Sequence, residues 1–385
     1  MKVVGVETLL VSLPTRRVHA WAGLSTAIGR DYVLVRVRSD EGLEGWGEAP
    51  VLKDWGGDYG RYFGESPQTT IAVVRDYLAP ALEGADPLAL EAAYTRIDRA
   101  VKGYPYAKAA VDVALHDLAG RALGVPVYQL LGGQFRDRVP VAHSIGLMET
   151  ADAVAEAAQA VEEGIRTIKL KVGREPDRDV DLVRQVRQAV GEGIAIRVDA
   201  NQGYPTAKVA LRVTRRMEQY GIWFMEQPVE GIAGLARIAQ AVDTPIMADE
   251  SAWTPRDVLA LAQAGAAEMI SLYYTKPGGL LRAKRVAAVA EAAGMACDVN
   301  GSMEMGVGNA ANLHLAASTP VITLPGSITI NQPAEQPVTR IAGHFYLDDV
   351  IREPLRYADG CLLVPDGPGL GVEVDATKLE KYRTG

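Results

Sequence analysis

The sequence predicts an α/β fold: a closed barrel of parallel strands with helical crossovers, joined to a smaller α+β domain at the N-terminus. Three observations carry this. From about residue 139 onward, short apolar runs alternate with Ala-rich helical patterns. Five of these runs end in polar residues one βα unit apart: Thr167-Ile-Lys-Leu-Lys-Val-Gly173, Arg197-Val-Asp-Ala-Asn201, Met225-Glu-Gln-Pro228, Met247-Ala-Asp-Glu-Ser251 and Cys297-Asp-Val-Asn-Gly301. Before residue 139 the order is different, with runs of strands followed by runs of helices, as an α+β unit requires.

In chain order, residues 2–13 and 32–37 read as strands. Polar Ser39-Asp-Glu-Gly42 makes the turn into a third strand over 43–48. Helical patterns follow over 69–79, 87–100 and 106–123. In the last, Ala110, Val113, Ala114 and Leu118 recur at steps of three and four, and Gly124 closes it. Barrel strands are predicted at 140–145, 167–172, 195–200, 223–226, 246–248, 270–273, 296–299 and 321–324. Helices fall between them, among others at 152–163, 178–190, 207–220 and 280–293. Eight strands with helical crossovers favour a closed barrel over an open sheet. Pro-rich loops then lead to 360–364 and 365–371, a tail able to return to the N-terminal domain. The expected boundaries are 1–137, 138–350 and 351–385.

The 385 residues suffice for a barrel and a smaller domain, and 48% apolar content allows a sizeable core. The net charge of −8, with no Lys/Arg run, argues against nucleic acid and anionic membranes as partners. No apolar run approaches the roughly 20 residues that span a bilayer. The start, Met1-Lys-Val-Val-Gly5, reads into a strand and not a signal peptide. Cys297 and Cys361 give neither a disulfide framework nor zinc spacing. The expected address is the cytoplasm.

Asp199, Glu226 and Asp249 end consecutive strands, so in a barrel they meet at the C-terminal mouth. One carboxylate there is as often a helix N-cap. Three would repel and raise one another's pKa unless a hard cation neutralised them, which points to Mg²⁺, with Mn²⁺ as the alternative. Lys169 and Lys171 stand two apart on one strand and face the same side, while Leu170 faces the helices. Two ammonium groups in one mouth should depress each other's pKa, as a lysine base at neutral pH needs. The chemistry implied is removal of the proton α to a metal-bound carboxylate, giving an enediolate held by the cation and the second lysine.

These segments resemble the enolase superfamily, in its mandelate racemase/muconate lactonizing enzyme branch. The resemblance covers nearly the whole chain. It includes Gly45-Trp-Gly-Glu48, the Lys-x-Lys pair, Asp199-Ala-Asn201, Glu226-Gln-Pro228, Ala248-Asp-Glu-Ser251, Gly278-Gly-Leu280 and Pro365–Gly371. It implies a (β/α)7β modified TIM barrel with an α+β capping domain, a small carboxylate substrate and a homo-oligomer, octamer or dimer. It also implies Asp199, Glu226 and Asp249 as metal ligands, Lys171 as base and Lys169 as its assistant. Glu304, in Met303-Glu-Met-Gly-Val-Gly308, resembles the glutamate that ends the seventh strand in the lactonizing group.

One departure bears on the reaction. The lactonizing group has a second lysine five residues before the Gly-Gly pair, and this chain has Tyr273 there. Mandelate racemase has an aspartate at that place, paired with a seventh-strand histidine, and the counterpart here is near Asn300. Lys276, beside Pro277, reads as a loop residue. Tyr273 is either a phenol acid facing Lys171 or a packing and hydrogen-bonding residue. With lysine on one face only, dehydration by β-elimination or cycloisomerisation is expected. Racemisation or epimerisation by 1,1-proton transfer follows if Tyr273 donates, and a silent metal- and ligand-binding barrel is the reading outside enzymes. Weaker site candidates are Asn201 near the metal, Glu250 behind it, and Asp298 with Asn300, which face the mouth or cap the next helix. Trp55 and Tyr59 lie where the family places a mobile lid. His143 could reach the mouth from the first strand. The eighth-strand region lacks the Asp-x-Asp used for dipeptide ammonium groups.

Overall fold

A computed structural model describes the chain except residues 23, 26–29, 54, 59–60, 331–342, 344 and 385, and except the side chains of 24, 25 and 30. The N-terminal sheet is an antiparallel meander of Val3–Leu13, Arg30–Ser39 and Glu44–Ala49. Its strands pair Leu9 with Leu34 and Val35 with Gly47. Helix Pro105–Leu123 lies across one face, and Gly124 ends it in the left-handed conformation, φ 69°. The small residues of Gly45-Trp-Gly-Glu48 explain that contact. A Cβ at Gly45 would meet the Ala114 carbonyl, and one at Gly47 the Ala110 carbonyl. The glycine side of the strand therefore rests on helix backbone. Gly47→Ala is expected to cost at least about 1–3 kcal/mol, because backbone cannot yield as a side chain can. A thermal midpoint within 1 °C of wild type, roughly, would contradict this.

Helix ends differ from expectation by a few residues. The run expected at 69–79 starts at Pro67 behind a Ser66–Thr69 capping box. It passes through a π-helical turn at Val74–Leu78 and ends with Ala79–Leu82. The one expected at 87–100 is Leu90–Ala100.

Among the described residues the barrel has seven regular strands, each parallel to the next: Ala142–Ile145, Thr167–Lys171, Ala195–Asp199, Ile222–Glu226, Ile246–Ala248, Met269–Leu272 and Ala296–Val299. They are counted here as first to seventh. Ile168 and Leu170 point outward into the apolar layer beneath the helices, and the lysines point inward. The eighth strand expected at 321–324 is not a strand. Ile322 bridges Cys297 and Gly326 bridges Val141, so an irregular segment links the seventh strand to the first. Its Pro320 and Pro325 explain the loss of regularity, since proline cannot donate to a ladder. Arg197 spans the interior to reinforce this closure. Its guanidinium bonds Asp298 Oδ2 on the seventh strand at 2.9 Å, the Pro325 carbonyl at 3.2 Å, and Ser327.

The cap is fixed to the barrel by buried carboxylates aimed at helix N-termini. Glu48 accepts from the amides of Met305 (2.7 Å) and Gly308 (2.8 Å), at the start of helix Gly306–Ala317. Asp112 accepts from Leu280 N (2.7 Å), at the start of helix Leu280–Ala292. The tail returns to the cap: Asp117 bonds Leu370 N at 2.8 Å, and Thr384 N donates to Leu10 O at 2.9 Å. Among the described residues, no helix is long and apolar enough to cross a membrane.

Candidate active site

Register brings the polar residues together. Lys171 pairs with Asp199, and Asp199 with Glu226, so the second, third and fourth strands present them at one level of the mouth. All are buried. Lys169 Nζ lies 2.8 Å from Glu226 Oε1 and 2.9 Å from Asp199 Oδ2. Lys171 Nζ lies 2.6 Å from the same Asp199 oxygen and 2.7 Å from Asn201 Oδ1. Asp249 follows the fifth strand. Lys276 Nζ reaches its Oδ1 at 2.7 Å, and the Tyr273 hydroxyl donates to its Oδ2 at 3.2 Å.

Electrostatics separate the carboxylates. Burial raises both Asp199 and Glu226, but two lysines face Asp199 and hold it below the usual range. Glu226 has one lysine and the repulsion of Asp199, and stays above that range. Glu250 is pushed well up by burial and by Asp249 and Asp199. Its Oε1 accepts from Asn201 Nδ2 at 3.0 Å, while Oε2 is buried without a hydrogen-bond partner. Lys169 is raised. Burial pulls it down, but Asp199 and Glu226 outweigh that, and mutual depression by the lysine pair does not dominate here.

The fit to a cation can be judged from this set. Four buried carboxylates, Asp199, Glu226, Asp249 and Glu250, share the site with three ammonium groups, and Glu226 and Glu250, raised by burial and by their acidic neighbours, are the groups whose charge a cation would restore. The donors are all oxygen, as a hard divalent cation prefers. As they stand, no three acidic, histidine or cysteine side chains among the described residues converge on one point. Lys169 sits between Asp199 and Glu226, and Lys276 on Asp249. The residues fit the group in the chemistry of their donors.

A pocket of about 90 Å³ opens onto this level. Lys169, Lys171, Asn201, Tyr273 and Asn300 line its floor and sides. Asn300 Nδ2 donates to Ser271 Oγ at 2.9 Å. Tyr273 is almost fully buried, and burial and the neighbouring carboxylates push its phenol well up, so it is a neutral donor. Its ring ends a stack that runs from the cap. Tyr62 lies 4.7 Å from Trp253, Trp253 lies 5.5 Å from Trp55, and Trp55 lies 5.7 Å from Tyr273. Trp55 is thus a packed pocket wall. Tyr59 lies outside the described residues.

Other candidates sit elsewhere. Asp298 is one layer below the mouth, held by Arg197, and does not line the pocket. Glu304 is buried behind the seventh strand, where Oε1 accepts from Ser302 N at 3.0 Å. His143 lines the pocket but is engaged on both nitrogens, by Glu156 at 3.0 Å and by Gly343 N at 2.9 Å. Sequence reasoning missed Arg17, His19 and Trp21, which form the far wall with Phe345. Arg17 and His19 lie in an irregular segment, and Trp21 in a two-residue strand, Ala20–Trp21, too short to show periodicity. Lys276 lies in a loop, as its place beside Pro277 implies, and its ammonium turns back to the Asp249 carboxylate and to the carbonyls of Asp249 and Ser271, a contact the sequence gives no sign of.

Comparison with known proteins agrees with this geometry. Residues 152–378 match the model of enolase C-terminal domain-like proteins. Residues 6–132 match that of the mandelate racemase / muconate lactonizing enzyme N-terminal domain. The chain belongs to the mandelate racemase/muconate lactonizing enzyme branch of the enolase superfamily. Within that branch it is 37% identical to muconate cycloisomerase 1 of Rhodococcus opacus, over 99% of this chain and 98% of that protein. It is 31% identical to the N-succinyl-L-Arg/Lys racemase of Bacillus cereus, over 99% and 98%. The crystal structure of 2-chloromuconate cycloisomerase from Rhodococcus opacus 1CP superposes with a TM-score of 0.91 at 34% identity, covering both chains fully. The branch is one of enzymes, isomerases and lyases built on a modified TIM barrel with a cap, and this chain is one of them.

Proposed function

We propose that the chain is a Mg²⁺-dependent enzyme that removes the α-proton of a small carboxylate substrate and then completes a β-elimination or a cycloisomerisation. The observation that carries this is the one-sided lysine arrangement. Lys169 and Lys171 line the pocket from the second strand, and the sixth-strand wall presents Tyr273. Asp199, Glu226 and Asp249 would hold the cation. When bound, it would supply positive charge against the substrate carboxylate and the enediolate, and would compete with Lys171 for Asp199. Lys171 takes the α-proton at Nζ, with Asn201 Oδ1 fixing its direction. Lys169, deeper and raised in pKa, stays cationic and stabilises the dianion. Trp21, Trp55 and Phe345 exclude water. In elimination, Lys171 can return its proton to the leaving group on the same face, so no second base is required.

A second reading, racemisation or epimerisation, is favoured by the Tyr273 phenol in the pocket wall and by the similarity to a racemase. It requires the hydroxyl to leave Asp249 and donate to the opposite face.

The test is proton NMR in deuterated water over pooled α-hydroxy, α-amino and sugar acids, with Mg²⁺ and then with excess chelator. A new unsaturated, keto or lactone product is expected, lost on chelation. Loss of an α-proton signal without a new compound would select the second reading. Turnover that survives chelation would refute the metal assignment.

A further inference from the structure

The three loops that follow the carboxylate-bearing strands converge on one oxygen atom from the cap. Asp58 Oδ1 accepts from Gln202 Nε2 (3.2 Å), from Gly231 N (3.2 Å) and from Ser251 Oγ (3.0 Å). These donors follow the third, fourth and fifth strands, which carry Asp199, Glu226 and Asp249. Asp58 is buried and does not line the pocket, so substrate contact does not account for it.

The loops it joins are conformationally costly. Asn201, Gln202 and Gln227 hold φ of 42°, 62° and 36°, values that non-glycine residues adopt at a cost of about 1–3 kcal/mol each. Such conformations persist only where the surroundings over-determine them. Gln227 supplies one tie, accepting from the amides of Asp249 (2.8 Å) and Ser251 (3.2 Å). Further ties run from Gln202 N to the Gln227 carbonyl (2.8 Å) and from Asn201 Nδ2 to Glu250 (3.0 Å), and Asp58 adds one from outside the barrel that reaches all three loops at once.

We propose that Asp58 is a positioning residue that sets the spacing of the three carboxylates by clamping their loops together and to the cap. The proposal rests on the metal reading above for its consequence, and on the hydrogen bonds alone for the clamp. All three donors use one oxygen, so the amide of Asp58→Asn can replace it and the methyl of Asp58→Ala cannot.

The experiment uses the full chain and Mg²⁺ alone, titrated calorimetrically. Amide hydrogen exchange is followed in parallel over 201–204, 229–232 and 249–253. Asp58→Ala is expected to weaken Mg²⁺ binding about 10–100-fold, as loss of an outer-shell partner does, and to speed exchange in all three loops. Asp58→Asn should restore both measurements to near wild type. Wild-type behaviour of Asp58→Ala, or equal loss in both variants, would overturn the clamp. If the wild-type chain binds no Mg²⁺, the metal reading fails separately, and loop exchange in Asp58→Ala alone decides for or against the clamp. Should Asp58→Ala not fold, Ser251→Ala, which removes one donor, carries the same comparison.

Discussion

Lys171→Ala is expected to reduce solvent deuterium incorporation at the substrate α-carbon by about a thousandfold or more, within the range that a positioned general base supplies. The substitution is clean in this site. Lys171 is the more exposed of the two lysines at the mouth, with 11% of its side chain accessible against 3% for Lys169. Asp199 keeps Lys169 as partner when Lys171 is removed, so no carboxylate is left alone. The variant should fold and bind Mg²⁺ as wild type does. Lys169→Ala is a poorer test, because it strips both Asp199 and Glu226 of a buried counterion and mixes catalysis with stability. Deuterium incorporation surviving in Lys171→Ala would move the base elsewhere and leave Tyr273 as the candidate to pursue.

Arg197→Met should destabilise the protein by about 3–5 kcal/mol, the cost of leaving one member of a buried ion pair uncompensated. Both partners are completely buried, and the pair crosses the barrel from third to seventh strand. The guanidinium also holds Pro325 and Ser327, so its loss frees the segment that stands where an eighth strand would be. The double variant Arg197→Met/Asp298→Leu should recover a large part of the loss, since two apolar groups need no counterion. Denaturant unfolding of the three variants measures both effects. A single variant within about 1 kcal/mol of wild type would show that Asp298 is neutralised by other means.

What could be read from the sequence followed from period. Lys169 and Lys171 on one face follow from the two-residue alternation of a strand, and the shared mouth of Asp199, Glu226 and Asp249 from the βα repeat. The same alternation places Arg197 on the inward face two residues before Asp199, and Asp298 two before Asn300. Their pairing is therefore within reach of the sequence, but depth along the barrel is not, so the mouth and the helix cap stay open for Asp298, which in fact sits a layer below, on Arg197. Apolar content alone suggests an eighth strand at 321–324, and the flanking Pro320 and Pro325 outweigh it. Arg17, His19, Trp21 and Asp58 were not legible as a set. Each lies in an irregular segment or, for Trp21, in a two-residue strand, and only the folded cap brings it to the barrel.

The way the cap is anchored has a consequence for how this protein tolerates change. Glu48 and Asp112 grip backbone amides, and backbone amides do not depend on which side chain the residue carries. Leu280 and Met305 can vary, as far as the anchoring is concerned, without loosening the cap, whereas Gly308 and Gly279 cannot, because a Cβ would meet Glu304 and the Tyr274 hydroxyl at the first and Asp112 itself at the second. Glu48 and Asp112 have no such freedom, because the bonds are made by their own carboxylate oxygens. The burden of holding two bodies together thus falls unevenly. The cap carries the charged letters, and the sixth and seventh barrel units answer with backbone amides and with the glycines that make room for them.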